Sequence, residues 1–128
     1  MDKEAIIDKI IEAKEQLKVA KKTYYLSHFY EFNRDVICWP DIYEPLHRKV
    51  CNFIQDNIAK KKLLLLLPRG TFKSSIVTVG YTLWQIAQNP NNRILIANAT
   101  FPMACQFLSQ VKNHLTKLEK NKIILGYR

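Results

Sequence analysis

The sequence predicts an α/β fold: a parallel sheet in β-α-β-α order, preceded by N-terminal helices. Leu63–Leu67 is an unbroken apolar run closed by Pro68-Arg69-Gly70. Arg93–Ala99 (Arg-Ile-Leu-Ile-Ala-Asn-Ala) is a second such run, arriving after the turn cluster Asn89-Pro90-Asn91-Asn92. Neither alternates apolar with polar residues, which is the pattern of a strand covered on both faces, as in parallel sheets. Each run is followed by apolar residues at three- and four-residue spacing, so a helix is expected to return over the sheet in the right-handed sense.

Taken in order, residues 2–22 place Ile6, Ile10, Ala13, Leu17 and Ala20 on one stripe, an amphipathic helix with a solvated charged face. Thr23–Phe32 predicts a second helix, with Tyr25/Phe29 and Leu26/Tyr30 paired four apart as an apolar face packed on the domain. These segments make residues 1–35 an N-terminal helical segment ahead of one α/β unit over 36–128. Val36–Glu44, with Trp39-Pro40-Asp41, reads as a loop, and Pro45 suits the first turn of a helix. Leu46, Val50, Phe53, Ile54 and Ile58 share the stripe of that helix, and Lys60-Lys61-Lys62 sits at its end near the negative pole of the dipole. Leucine favours helix, so the strand over Leu63–Leu67 depends on Pro68-Arg69-Gly70 as its terminator. Ser74–Gln88 predicts the next helix, with Ile76, Val79, Leu83 and Ile86 inward. Thr100-Phe101-Pro102 opens the last, carrying Ala104, Phe107, Val111, Leu115 and Leu118.

With 128 residues and 48% hydrophobic content, the chain has enough material for one small globular core. Lys and Arg number 20 against 11 Asp and Glu, a net charge of +9, which attracts phosphate in nucleotides or nucleic-acid backbones. The excess is unevenly spread. Between Asp56 and Glu119 there is no carboxylate side chain, while Lys60, Lys61, Lys62, Arg69, Lys73, Arg93, Lys112 and Lys117 all fall there. Cys38, Cys51 and Cys105 have no CxxC spacing, which argues against a disulfide framework or a zinc ribbon and for a reducing, intracellular setting. The charged start and the lack of a long apolar stretch predict neither a signal peptide nor a membrane span.

Pro68-Arg69-Gly70-Thr71-Phe72-Lys73-Ser74-Ser75 joins the first predicted strand to a helix start. A helix N-terminus already carries partial positive charge from aligned peptide dipoles and unpaired N–H groups. Arg69 and Lys73 there are each unfavourable by a few tenths to about 1 kcal/mol unless an anion fills the site. A polyphosphate cradled by backbone N–H groups is the obvious anion, which makes this a candidate phosphate loop for ATP with Mg²⁺. The strict pattern G-x-x-x-x-G-K-S/T fails, because Leu67 and Phe72 stand at the two glycine positions. Gly70 supplies the backbone freedom that the loop needs. Lys73 is then expected on the β/γ-phosphates, and the Ser74 hydroxyl on Mg²⁺.

This octapeptide resembles the deviant phosphate loop of the large terminase subunits of tailed bacteriophages, which have Arg four residues before the Lys. Tyr43-Glu44-Pro45-Leu46-His47-Arg48-Lys49 resembles that family's upstream region, which helps seat adenine, and His47 stands near its adenine-reading glutamine. Arg93–Thr100 and the helix after it resemble the family's second strand and helix. The resemblance spans roughly residues 40–125. It implies a partial P-loop NTPase in which Arg69, Gly70, Thr71, Phe72, Lys73, Ser74 and Ser75 bind the nucleotide with His47. Arg69 and Lys73 are the implied catalytic cations and Ser74 the metal ligand. It further implies double-stranded DNA, a portal protein and a small terminase subunit as partners, a homo-oligomeric ring and the host cytoplasm.

ATP hydrolysis in this class needs an aspartate for Mg²⁺ and a neighbouring glutamate on a later apolar strand. After Lys73 the only carboxylate side chain is Glu119, with no strand before it. No acidic cluster for a two-metal nuclease is present either. The sequence thus resembles the front third or less of a packaging ATPase and is expected to bind nucleotide weakly without hydrolysing it. Its two strands would lack their usual neighbours, so the chain is expected either to pair them unnaturally or to be marginal in isolation. Two other readings stay open: a fragment of another P-loop DNA motor such as a helicase, or a non-enzymatic basic DNA-binding module.

Overall fold

The computed structural model describes residues 2–71 and 74–117. In chain order these form α1 (Lys3–Ser27) and α2 (Phe29–Glu31), which widens into π-helical turns over Phe32–Ile37. Then come α3 (Leu46–Asp56), a second π-helical stretch over Ser75–Gly80 that continues as α4 (Tyr81–Gln88), and α5 (Phe101–Lys117). Leu118, expected on the face of the last helix, lies outside the described residues.

The parallel sheet is not seen, and the fold is mostly helical. Among the described residues no strand forms, so the expected β-α-β-α sheet of a P-loop NTPase is corrected to a helical body with two irregular connections. Leu63–Leu67 and Arg93–Ala99 have no regular secondary structure and share no hydrogen-bonded ladder. They are also covered on one side only: Leu65, Leu67 and Ile96 pack on the core, while Leu64, Leu66 and Leu95 are 77%, 79% and 90% exposed. A parallel strand is stabilised by neighbours on its hydrogen-bonding edges and by layers on both faces. Here neither run has them, because the helices satisfy one another.

The core shows how. Phe29, Phe32, Val36, Cys51, Ile76, Val79, Leu83 and Trp84 are essentially buried, drawn from both π-helical stretches and from α2, α3 and α4. Phe29 stacks on Trp84 with ring centroids 4.8 Å apart and meets Tyr81 edge-on at 6.0 Å. Burying such rings is worth about 1.5–3 kcal/mol each by area. Ile76, Val79 and Leu83 lie inside as their spacing predicts, and Val111 anchors α5. Phe53, in the last turn of α3, and Ile58, past its end, both expected inside, are 41% and 43% exposed.

The predicted break near residue 22 falls later. α1 runs to Ser27, and side chains compete for the carbonyls of its last turns: Thr23 Oγ1 donates to Val19 O, Ser27 Oγ donates to Thr23 O and the His28 ring bonds Tyr24 O at 2.8 Å. The last carbonyls, orphaned by the helix end, are taken up by α4. Trp84 Nε1 donates to Tyr25 O at 3.1 Å and Gln88 Nε2 to Leu26 O at 2.9 Å. Residues 3–24 of α1 are all exposed; contact with the body starts at Tyr25.

Two polar clusters fix the body. Asn33, fully buried, donates to Phe29 O at 3.0 Å and accepts from Trp39 Nε1 at 3.1 Å. Gly80 presses against it so closely that a Cβ there would overlap Asn33 Oδ1. Arg48 of α3 bridges Glu31 at 2.9 Å and Glu44, with its guanidinium 4.2 Å above the Tyr30 ring. Burial pushes the Glu31 carboxyl up, but the hydrogen bond and charge of Arg48 outweigh it and hold the group below the usual carboxylate range. These contacts tie α2 to the start of α3, where the candidate site begins.

Candidate functional site

The tract leading to the candidate phosphate loop is irregular as far as Pro68 and then turns. Thr71 Oγ1 donates back to Pro68 O at 2.8 Å, and Gly70 sits between them at φ +80°, a left-handed conformation that suits glycine. Gly70 therefore does what its place in the sequence requires. The turn is held against α3 by His47, which is 1% exposed. Its Nδ1 accepts the backbone N–H of Tyr43 at 2.9 Å. The proton is thus on Nε2, which donates to Thr71 O at 2.8 Å. One imidazole joins the loop before α3 to the turn 24 residues later.

Pro40, Asp41, Ile42, Tyr43, His47 and Gly70 line a pocket of about 490 Å³ beside this turn. The Tyr43 ring, half exposed, packs edge-on against the His47 ring at 4.4 Å. The pocket offers an aromatic wall, one carboxylate at Asp41 and a glycine backbone that admits close approach, features suited to a planar, hydrogen-bonding ligand. Sequence reasoning picked out Tyr43 and His47 as parts of one segment. Pro40, Asp41 and Ile42 read only as a loop, because the fold alone brings that loop to Gly70.

Arg69 is exposed and makes no ion pair among the described residues. Thr71 is partly buried through its two hydrogen bonds. Ser74 is exposed at the head of the helix, and Ser75 begins the π-helical stretch half-buried. Phe72 and Lys73, the latter the principal candidate cation, lie outside the described residues. Thus the structure brings His47, Gly70 and Thr71 into one contact. Among the described residues no group of three or more His, Cys, Asp or Glu side chains is positioned to hold a metal ion. Cys51 is a buried apolar contact whose thiol burial pushes up to about 12, far from a thiolate ligand.

Among the described residues, no helix is long and apolar enough to cross a membrane. No family model, curated protein or solved structure matches this chain.

Proposed function

We propose that the chain binds a nucleoside triphosphate with Mg²⁺ at the turn 68–75, as the ATP-binding N-terminal portion of a terminase large subunit. The parent motor moves double-stranded DNA into procapsids. The observation that carries this reading is the His47 bridge, which sets a base-sized pocket beside the glycine turn that leads into a helix. The adenine lies against Tyr43, with the Asp41 carboxylate available to its exocyclic amine. Both His47 ring nitrogens are engaged by backbone, so this residue positions the loop. Lys73 and Arg69 take the phosphates, and the Ser74 hydroxyl takes Mg²⁺. On this reading, the partners are a portal protein, a small terminase subunit and further copies in a ring, in the host cytoplasm.

A second reading has its own support: Lys60, Lys61, Lys62, Arg69 and Arg93 are all exposed on a stretch without carboxylates. Such a surface binds DNA backbone with strong salt dependence. A fluorescent ATP analogue with Mg²⁺ separates the two. The nucleotide reading expects Lys73→Ala and Tyr43→Ala each to weaken binding by about tenfold or more, the worth of one charge-assisted contact or one ring. Unchanged nucleotide affinity in Lys73→Ala, together with weaker, salt-sensitive DNA binding, gives the site to the backbone reading.

A further inference from the structure

α1 is about 37 Å long at the helical rise of about 1.5 Å per residue, and it meets the body only through its last turn. Helices of mixed composition and this length are marginal alone in water and take their stability from what covers their apolar face. That face is regular. Ile6, Ile10, Ala13, Leu17, Ala20 and Tyr24 recur at alternating four- and three-residue steps, the seam of a two-stranded coiled coil. Ile6, Ile10, Leu17 and Tyr24 are all roughly half exposed.

The residues flanking the seam indicate what covers it. On one side stand Lys9, Gln16 and Thr23, and on the other Ile7, Lys14 and Lys21. No carboxylate lies on either flank; Glu4, Asp8, Glu12 and Glu15 all occupy positions further round the helix. Flanking charges choose the partner in a coiled coil. In a parallel pair with a second copy, Lys9 would face Lys14 of that copy, which is repulsive. From this pattern we infer that α1 is a docking helix for another protein, whose own helix presents an apolar seam flanked by Asp or Glu. The surface is separate from the Tyr43–Gly70 pocket, and the inference holds or fails independently of nucleotide binding.

The test uses the full chain and two synthetic three-heptad peptides with leucine along the seam, one flanked by Glu and the other by Lys. Fluorescence anisotropy should give the Glu-flanked peptide an affinity at least about tenfold higher, since attractive flanking pairs replace repulsive ones. The gap should narrow as salt rises from about 0.1 M to about 1 M. Reversing the flank with Lys9→Glu, Lys14→Glu and Lys21→Glu together should transfer the preference to the Lys-flanked peptide. Ile10→Asp with Leu17→Asp should abolish binding of both peptides while leaving the far-UV spectrum of the body intact. Equal binding of the two peptides, binding of neither, or a preference unmoved by charge reversal overturns the inference. So does self-association of the chain in sedimentation that Ile10→Asp with Leu17→Asp removes, because the occupant is then a second copy.

Discussion

Phe29 and Ile10 are both large hydrophobes on helices, yet Phe29 is 0% exposed and Ile10 is 50% exposed. The core of the helical body and residues 3–24 of α1 differ in this way. The body closes on itself through Trp84, Leu83 and Ile76, whereas α1 keeps a regular apolar seam in contact with solvent. The difference teaches that periodicity reports which side of a helix is apolar and is silent about what lies against it. In the body the covering surface is another helix of the same chain. For α1 it has to come from elsewhere.

The sharpest way to break this comparison is to empty the body. Phe29→Ala removes a ring packed between Trp84 and Tyr81 and should cost about 3–5 kcal/mol, read from urea unfolding followed by far-UV circular dichroism. A loss under about 1 kcal/mol would mean that the core can collapse around the gap. Gly80→Ala should cost less, about 1–3 kcal/mol, since the new methyl group meets a buried, doubly bonded Asn33 side chain. Its increment should shrink in an Asn33→Ala background, and strict additivity would show that the two do not meet. Ile10→Ala should change stability of the isolated chain by no more than about 0.5 kcal/mol in the same assay. A cost approaching that of Phe29→Ala would show α1 already covered.

The helices were largely legible, because their apolar residues recur at helical spacing over many turns. Val50 and Ile54, Ile76 with Val79 and Leu83, and Val111 are buried as their spacing predicts. The strands were misread because an unalternating run such as Leu63–Leu67 has no period of its own. Its residues suit a buried strand, a buried helix or an extended connection equally well, and tertiary neighbours decide. The wide turns at Phe32–Ile37 and Ser75–Gly80 also left no trace, since Asn33 facing Gly80 is a contact across 47 positions. In the site, the tight turn was readable from Pro68-Arg69-Gly70, a local signal. That His47 holds it was not: the ring's two hydrogen bonds are set by the packing of α3, and the sequence pointed to His47 only as standing near an adenine-reading glutamine.

The contact between Gly80 and Asn33 limits how the candidate loop can answer a ligand. A bare backbone pressed onto a caged amide acts as a pivot pin, and the stretch from Ser75 to Gly80 ends on it. Swinging that stretch as a lever would tear the pin out of the core. Accommodation of a bulky anion must therefore be absorbed upstream of Ser74, where Gly70 tolerates the widest dihedral excursion and His47 tethers the far side.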